Sequence, residues 1–331
     1  MKEILRRLIA NDRLSEKETC EVMINIEAGT YPAEQIAAML AIMQSHGVTV
    51  DELLGFRRGL LETGLAVNLS PYTVLDIVGT GGDGKNTFNI STCSCFVLAG
   101  AGFKVAKHGN YASTSVSGAG NVLEEHGVKF TNDESKLKES LEKSGFTYMH
   151  APLFAKGMKN VVPVRKALQV PTAFNMLGPL INPCRPQAQC LGTANFEQFR
   201  LYTNVCQALG INYAIVSSTD GYDEISLTSE FKVATRNIEK VYSPADFGMK
   251  KIDPKEIYGG STKQEAMQIF DNVLKQEATE AQTNVVIANS AIAMRAADES
   301  LSIAECIDKA TESLKSGKAF EALKKYVEVN S

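Results

Sequence analysis

The first seventy residues carry apolar side chains at the three- and four-residue spacing of amphipathic helices. Two of these helices are predicted to begin at capping boxes, formed by Ser15 with Glu18 and by Thr49 with Glu52. The predicted helices end at Gly29, Gly47 and Gly64. Short helices of this kind must bury their apolar faces against the rest of the chain or against a second copy of it. The pattern predicts a small, all-helical domain over residues 1–70.

From Thr73 onward the pattern changes to short apolar runs that alternate with helical stretches. The predicted strands are 74–78, 103–106, 147–150, 213–217 and 231–235, and the long predicted helices are 263–276, 280–298 and 317–328. Alternation of strands and helices is typical of a parallel sheet that is buried on both faces. Residues 73–331 are therefore predicted to form a larger α/β domain, with a central, mostly parallel sheet flanked by helices.

Composition narrows the classes of function. Of the 331 residues, 44% are hydrophobic and 22% are charged, and the net charge of −4 offers no basic surface for nucleic acid. No apolar stretch approaches the roughly 20 residues of a membrane span, and the charged N-terminus lacks the pattern of a signal peptide. Seven cysteines, without zinc-ligand spacing, indicate reduced, buried thiols. We expect a cytoplasmic protein that binds neither nucleic acid nor membranes.

A glycine loop, Gly79 to Thr87, follows the first predicted strand and precedes a helix. Such loops bind phosphate because glycine lets backbone N–H groups approach one anion, and the helix N-terminus adds a favourable dipole. Gly79, Gly81 and Gly84 fit the dinucleotide fingerprint. That fingerprint also requires an acidic residue about 20 positions on, where this chain has Lys107 and His108. The dinucleotide interpretation is therefore weak.

Two further interpretations of the loop remain. Gly84 and Lys85 nearly complete a P-loop, but Asn86 stands where a Ser or Thr would hold Mg²⁺. Asp83 would repel a phosphate unless it served sugar hydroxyls or a metal ion. The run 89–92 adds three small polar side chains at the start of the following helix. A ligand that combines phosphates, sugar hydroxyls and Mg²⁺ fits this set, and phosphoribosyl diphosphate (PRPP) is such a ligand.

Six segments, taken together, resemble the anthranilate phosphoribosyltransferases in order and spacing. The segments are Gly79-Thr80-Gly81-Gly82-Asp83, Asn89-Ile90-Ser91-Thr92, Lys107-His108-Gly109-Asn110, Val164-Arg165, the run from Phe174 to Pro183, and Gly221-Tyr222-Asp223-Glu224. The resemblance covers the whole chain. It implies a pentosyltransferase of tryptophan biosynthesis, which moves the phosphoribosyl group of PRPP onto the amine of anthranilate and releases diphosphate. It also implies a homodimer joined through the helical domain, with residues 165–185 packed beside the N-terminal helices.

The resemblance further implies three sets of site residues. PRPP would be held by Gly79, Gly82, Asp83, Thr87, Asn89, Ile90, Ser91, Thr92, Lys107, His108, Gly109, Asn110, Tyr111, Ala112, Ser113, Thr114, Ser115 and Ala119. Anthranilate would contact Gly79, His108, Asn110 and Arg165. Mg²⁺, the implied cofactor, would be bound by Ser91, Asp223 and Glu224. No residue is assigned as a general acid or base.

The chemistry of individual residues agrees with these roles but leaves alternatives open. Asp223 and Glu224 offer hard oxygen ligands of the kind Mg²⁺ prefers, or they form a solvated acidic turn. Arg165 can pair with a carboxylate through two hydrogen bonds, or it is a surface helix residue. Lys107 can neutralise diphosphate charge, or it is a solvated lysine at the end of a strand.

The chain departs from the pattern of the family in three places. Tyr111 stands where the family usually has Arg, and Gly120-Asn121 replaces the usual Ala-Asp. Residues 155–157, Ala-Lys-Gly, replace the usual His-Pro-Ala that lines the acceptor channel. Two rival functions follow. One is a transferase or phosphorylase of the same fold with a different acceptor, and the other is a catalytically silent protein that binds a ligand.

Overall fold

The computed structural model describes residues 1–112 and 116–331, which form two compact units. The first unit comprises Met1–Val67 and Ala151–Arg185, and the second comprises Asn68–His150 and Pro186–Ser331. The segment expected to return to the helical domain at about 165–185 thus runs in the structure from Ala151 to Arg185.

Helices predominate, and short strands alternate with them in the second unit. The helices are α1 Lys2–Ile9, α2 Glu16–Glu27, α3 Ala33–His46, α4 Val50–Thr63, α5 Ile90–Gly100, α6 Ala119–Glu125, α7 Glu134–Ser144, α8 Val162–Leu168, α9 Phe196–Leu209, α10 Lys263–Lys275, α11 Glu280–Ala297, α12 Ile303–Lys315 and α13 Lys318–Asn330. The strands are β1 Leu75–Gly79, β2 Val105–Gly109, β3 Phe146–His150, β4 Ala188–Gly192, β5 Asn212–Ser218, β6 Phe231–Ala234 and β7 Glu239–Tyr242. Among the described residues, no helix is both long enough and apolar enough to cross a membrane.

The first unit is built on closely packed helices. Both predicted capping boxes are confirmed, at the starts of α2 and α4. A methyl group on Gly55 or Gly59 of α4 would lie about 2.6 Å from Cβ of Thr19 or Met23 of α2, which is too close for two carbon atoms. Glycine at these two positions therefore allows α2 and α4 to approach each other.

The second unit contains a seven-stranded sheet in the order β3-β2-β1-β4-β5-β6-β7. Strands β1 to β5 are parallel, whereas β6 and β7 add an antiparallel edge, so the predicted fold class is confirmed. The sequence did not predict β4, which reads Ala-Gln-Cys-Leu-Gly and lacks the β-branched residues that favour strands. Because β2 and β4 flank β1, the crevice outside the carboxyl end of β1 lies at a topological switch point, where α/β proteins bind ligands.

One face of the sheet packs against α5, which is enclosed by α11 and α13. Phe96 of α5 lies at the centre, with its ring centroid 4.6 Å from that of Phe146 and 6.0 Å from that of Phe270. All seven cysteines are free thiols and six of them are buried, as the sequence predicted. This apolar core fixes the helix that follows the glycine loop.

Candidate functional site

The glycine loop leaves β1 at the switch point and reaches α5. Gly81, Gly82 and Gly84 have φ values of 69°, 77° and 71°, in the left-handed region that other residues rarely adopt. The N–H of Gly81 donates to Asp223 Oδ2 at 2.6 Å, and the N–H of Lys85 donates to Asp83 Oδ1 at 3.0 Å. The loop is therefore shaped by its glycines and tied to the acidic pair predicted to bind metal.

Two glycines at the ends of adjacent strands make room for Asp223. Gly79 of β1 pairs with Gly192 of β4. A methyl group on Gly79 would overlap the Asp223 carboxylate, and one on Gly192 would overlap the Asp223 carbonyl oxygen. Gly192 was not predicted as a site residue, because β4 was not predicted as a strand. A glycine at the end of a short apolar run was the only available signal.

Asp223 is buried, and Glu224 is half-buried with its Oε2 atom buried, so the alternative of a solvated acidic turn is wrong. Asp223 is 7% exposed, and burial, followed by the nearby Asp83 carboxylate, raises its pKa to about 7. Burial and the Asp223 carboxylate likewise raise the pKa of Glu224 well above its ordinary value. The Thr87 hydroxyl, which donates to Glu224 Oε1 at 3.1 Å, and the Lys107 ammonium act in the opposite direction.

The pair has the chemistry of an incomplete site for a hard cation. Glu224 Oε2 is buried and receives no hydrogen bond from any residue in the described ranges. Within those ranges, no group of three or more His, Cys, Asp or Glu side chains is arranged to hold a metal ion. Mg²⁺ ordinarily takes one or two carboxylates and completes its shell with substrate phosphates and water. Asp223 and Glu224 fit this mode of binding, in which the substrate supplies the remaining ligands.

Lys107 is a buried cation within β2. It is 2% exposed, so the alternative of a solvated lysine is wrong. Strand β2 ends three residues later than predicted, which places Lys107 and His108 inside the strand. The Lys107 ammonium donates to the Ile77 carbonyl oxygen of β1 and to Ser91 Oγ, the latter at 3.4 Å. A positive charge is thereby fixed beside the start of α5.

The four residues 89–92 are divided between the site and the core. Asn89 precedes α5, and its amide donates to Ser117 Oγ at 3.4 Å. Ser91 is half-buried and bonded to Lys107. The Ile90 side chain belongs to the hydrophobic core, and Thr92 is also buried. Any ligand contact of Ile90 must therefore come from its backbone.

The segment after β2 is held by α6. Asn121 Oδ1 accepts hydrogen bonds from the N–H groups of Ala112 and Gly118, both at 3.0 Å, and the N–H of Gly120 donates to the Asn110 carbonyl at 3.2 Å. Asn121, which was not predicted as a site residue, therefore ties the backbone of Ala112 to the start of α6. Ala119 is the first residue of α6. The predicted site residues Ser113, Thr114 and Ser115 lie outside the described residues.

Tyr111 and Gly120, two departures from the family pattern, lie in contact. A methyl group on Gly120 would approach Tyr111 Cδ1 to 3.2 Å. The Tyr111 hydroxyl donates to Glu124 at 3.0 Å, and its ring packs edge-on against His150, with 4.8 Å between centroids. The two departures are therefore linked in the structure: the Tyr111 ring lies against Gly120, where a larger residue would leave it less space.

Arg165 belongs to the first unit and lies on α8. Its side chain is half-buried, and burial lowers the pKa of the guanidinium. No acceptor for that guanidinium is found in residues 1–112 or 116–331. The altered segment 155–157 lies in the same unit, where a methyl group on Gly157 would come within 2.8 Å of Thr63 Oγ1. Close packing against α4 thus explains a small residue at position 157.

The raised pKa of Asp223 predicts a pH-dependent stability. Its value of about 7 exceeds the ordinary 3.8, so the folded chain holds this proton more tightly than the unfolded chain does. The resulting stabilisation is complete below about pH 4 and is lost as the pH rises through 7. We expect the unfolding temperature in EDTA to fall from pH 5 to pH 8 relative to that of the Asp223→Asn variant, whose amide does not titrate. A difference that is constant over this range would contradict the assignment.

Both parts of the chain match models of known protein families. Residues 2–64 match the model of the glycosyl transferase family, helical bundle domain, and residues 71–320 match that of the glycosyl transferase family, a/b domain. Anthranilate phosphoribosyltransferase from Phocaeicola vulgatus is 56% identical over 331 residues, and that from Bacteroides fragilis is 52% identical over 330. Each alignment covers 100% of both chains.

Solved structures of the same enzyme family are also similar to this chain. The crystal structure of anthranilate phosphoribosyltransferase from Thermus thermophilus matches with a TM-score of 0.93 and 31% identity over 98% of each chain. The enzyme from Saccharomyces cerevisiae, in complex with PRPP and Mg, matches with a TM-score of 0.91 and 26% identity over 99% of this chain and 96% of that one. The chain therefore belongs to the anthranilate phosphoribosyltransferase family.

Proposed function

We propose that the protein transfers the 5-phosphoribosyl group of PRPP to the amine of anthranilate and releases diphosphate, as a step of tryptophan biosynthesis. The observation that carries the proposal is the adjacent pair of Asp223, which is buried, and Glu224, whose Oε2 atom is buried, beside the glycine loop and Lys107. Two carboxyl groups kept out of water at a phosphate-binding edge are neutralised either by protons or by a cation, and a diphosphate ester brings such a cation when it binds with Mg²⁺. Full-length identity of 52–56% to two relatives of this name supports the same activity.

PRPP would lie against the glycine loop, the start of α5 and the segment after β2. Backbone N–H groups around Gly82 are suited to one phosphate, and the start of α5 is suited to a second. Asp83 and Asn89 are suited to the ribose hydroxyls. The Lys107 ammonium would lie close to the diphosphate. Since Tyr111 brings no positive charge, Lys107 and the metal ion carry more of the charge neutralisation in this chain than the family pattern implies.

Asp223 and Glu224 would hold Mg²⁺ through their carboxylates, and Ser91 would hold it through its hydroxyl. When bound, it supplies positive charge that stabilises the departing diphosphate. The solved relative from Saccharomyces cerevisiae is described in complex with PRPP and Mg. Glu224 Oε2, which is buried and has no hydrogen-bond partner among the described residues, supports the same use of magnesium in this chain.

In the transfer, the bond from the ribose anomeric carbon to the diphosphate oxygen breaks, and a bond to the anthranilate nitrogen forms. Positive charge develops on the ribose and negative charge on the diphosphate. Lys107 and the glycine-loop N–H groups are fixed before reaction, so they stabilise this charge without reorganising. The new ammonium group on an aromatic ring is strongly acidic, so it releases its proton without a dedicated base.

Anthranilate would be held through its carboxylate and its amine. Arg165 is a half-buried guanidinium with no acceptor in the described part of the chain, which suits a carboxylate that binds through two hydrogen bonds. Gly79, His108 and Asn110 would contact the acceptor in the second unit. Orienting a weak nucleophile in this way contributes to rate by removing orientational freedom.

The protein is also proposed to act as a cytoplasmic homodimer joined through its helical unit. The side chains of Ile9 and Ile24 in that unit are 71% and 36% exposed. Exposed apolar side chains on short helices suit a contact with a second copy. Light scattering of the purified protein would give the mass directly.

A fluorescence assay tests the proposed activity. Anthranilate fluorescence should fall when the protein is mixed with anthranilate, PRPP and Mg²⁺, and the loss should stop when EDTA is added. Mg²⁺-dependent PRPP binding without loss of fluorescence would indicate a different acceptor, as the departures at 155–157 allow. Absence of PRPP binding would contradict the proposed function.

A further inference from the structure

The segment that follows Glu224 is held in an unusual backbone conformation. Leu227 has φ 58° although it is fully buried and is not glycine. Apolar residues rarely adopt the left-handed region, and such a conformation persists only where surrounding contacts enforce it. The Leu227 carbonyl accepts a hydrogen bond from the N–H of Ile252 at 3.1 Å. The enforcing contacts must therefore lie around residues 224–228.

The most direct of these contacts comes from Asn289, in the middle of α11. Asn289 Oδ1 accepts from the N–H of Ile225 at 3.0 Å, and its Nδ2 donates to the Ile225 carbonyl at 2.8 Å. The same Nδ2 donates to the Val285 carbonyl, one helical turn earlier, at 2.8 Å. The side chain is only 4% exposed. A single amide thus satisfies both backbone groups of the residue next to Glu224 and is itself fixed to a rigid helix.

A second anchor holds the same backbone from the end of β5. The Ser218 hydroxyl donates to the Glu224 carbonyl at 2.7 Å and accepts from the N–H of Ser226 at 3.2 Å. The Ser226 hydroxyl is hydrogen-bonded to the Thr228 hydroxyl, which in turn donates to the Asp220 carboxylate. Asn289 and Ser218 therefore hold the two peptide groups that directly follow the Glu224 side chain, and their hydrogen bonds are to the backbone and not to its carboxylate.

From this geometry we infer that Asn289 is a positioning residue, which sets the Asp223–Glu224 pair for binding of magnesium together with PRPP. The inference rests on the proposed function. Metal-binding side chains depend on the groups that orient them, and loss of such a group typically weakens metal affinity or activity about 10- to 100-fold. Ser218 is assigned the same role from the opposite side of the backbone.

The test uses two substitutions of opposite size, Asn289→Ala and Asn289→Leu. One leaves space and the other fills it, so an effect common to both reports the lost amide and not a change of volume. Calorimetry of PRPP binding at a fixed Mg²⁺ concentration, without anthranilate, should give a dissociation constant raised about 10- to 100-fold in both. The Mg²⁺ concentration that gives half-maximal activity should rise in parallel, while the KM for anthranilate stays within about twofold.

Asn330→Ala is the matched control. Asn330 is 6% exposed and makes the same kind of bonds, from its Nδ2 to the Tyr326 carbonyl of its own helix and to Ser140 on α7. We expect this variant to lower the unfolding temperature as the Asn289 variants do, but to bind PRPP like the wild type. Ser218→Ala provides a second test of the site in case the Asn289 variants do not fold.

Unchanged PRPP and Mg²⁺ binding in the folded variants would overturn the inference, even if their stability or kcat fell. Equal weakening in Asn330→Ala would overturn it as well, because the effect would then be one of general stability. If the wild type itself showed no Mg²⁺-dependent binding of PRPP, the proposed function would fail along with the inference. If the wild type binds and the variants match it, only the inference fails.

Discussion

Replacing Asp223 by Asn and Glu224 by Gln together should reduce kcat/KM by a factor on the order of 10³ or more. Both substitutions keep the shape of the side chain but remove the negative charge that binds a cation. Stability should not fall. Burial raises the pKa of both carboxyls, which shows that their charged forms are unfavourable in the folded chain, and neutral amides carry no charge to bury. Steady-state kinetics and thermal unfolding on the same preparation check both expectations.

The control for this double variant removes two carboxylates elsewhere in the second unit. Asp298 and Glu305 are exposed and accept hydrogen bonds from the backbone N–H groups of Ser300 and Ser302. Asp298→Asn with Glu305→Gln should leave turnover unchanged at every Mg²⁺ concentration. Turnover retained by the Asp223/Glu224 variant would remove the metal role from this pair, whereas loss in both variants would indicate a nonspecific effect of charge.

The glycine loop and the acidic pair were predictable because their signals are local. Glycines between a strand and a helix, and adjacent carboxylates after a strand, are visible in a few consecutive residues. The burial of Asp223 was not predictable in this way. It depends on Gly79 and Gly192, which lie far from Asp223 in the chain and meet it only because β1 and β4 are neighbours.

Residues that act through tertiary contacts carry no comparable signal. Asn121 lies in a short helix, and its role is defined by the backbone of Ala112. Asn289 lies within the mostly apolar and fully buried stretch 285–294 of α11, where the pattern alone indicates only a buried position. Strand β4 has low strand propensity, and its neighbours in the sheet stabilise it. Local chemistry therefore indicates candidate ligand-binding groups, whereas the residues that hold those groups in place are identified only by tertiary contacts.

Lys107 should be the most important single cation of the second unit. Lys107→Met keeps the length of the buried side chain and removes its charge, so kcat should fall on the order of 10²- to 10³-fold. The loss follows from the position of the ammonium, which is fixed by Ile77 and Ser91 at the edge where the glycine loop begins. Stability should change little, because an apolar side chain replaces a buried charge.

Lys104→Met is the matched control, since Lys104 lies just before the opposite end of the same strand and also donates to a backbone carbonyl, that of Leu141 at 2.8 Å. It should lose a little stability and keep its activity. The salt dependence of PRPP binding separates the two lysines further, because only Lys107 is expected to contact the diphosphate. Wild-type kcat in Lys107→Met would show that this ammonium is structural, and the stabilisation of the leaving group would then fall to the glycine-loop amides and the metal ion.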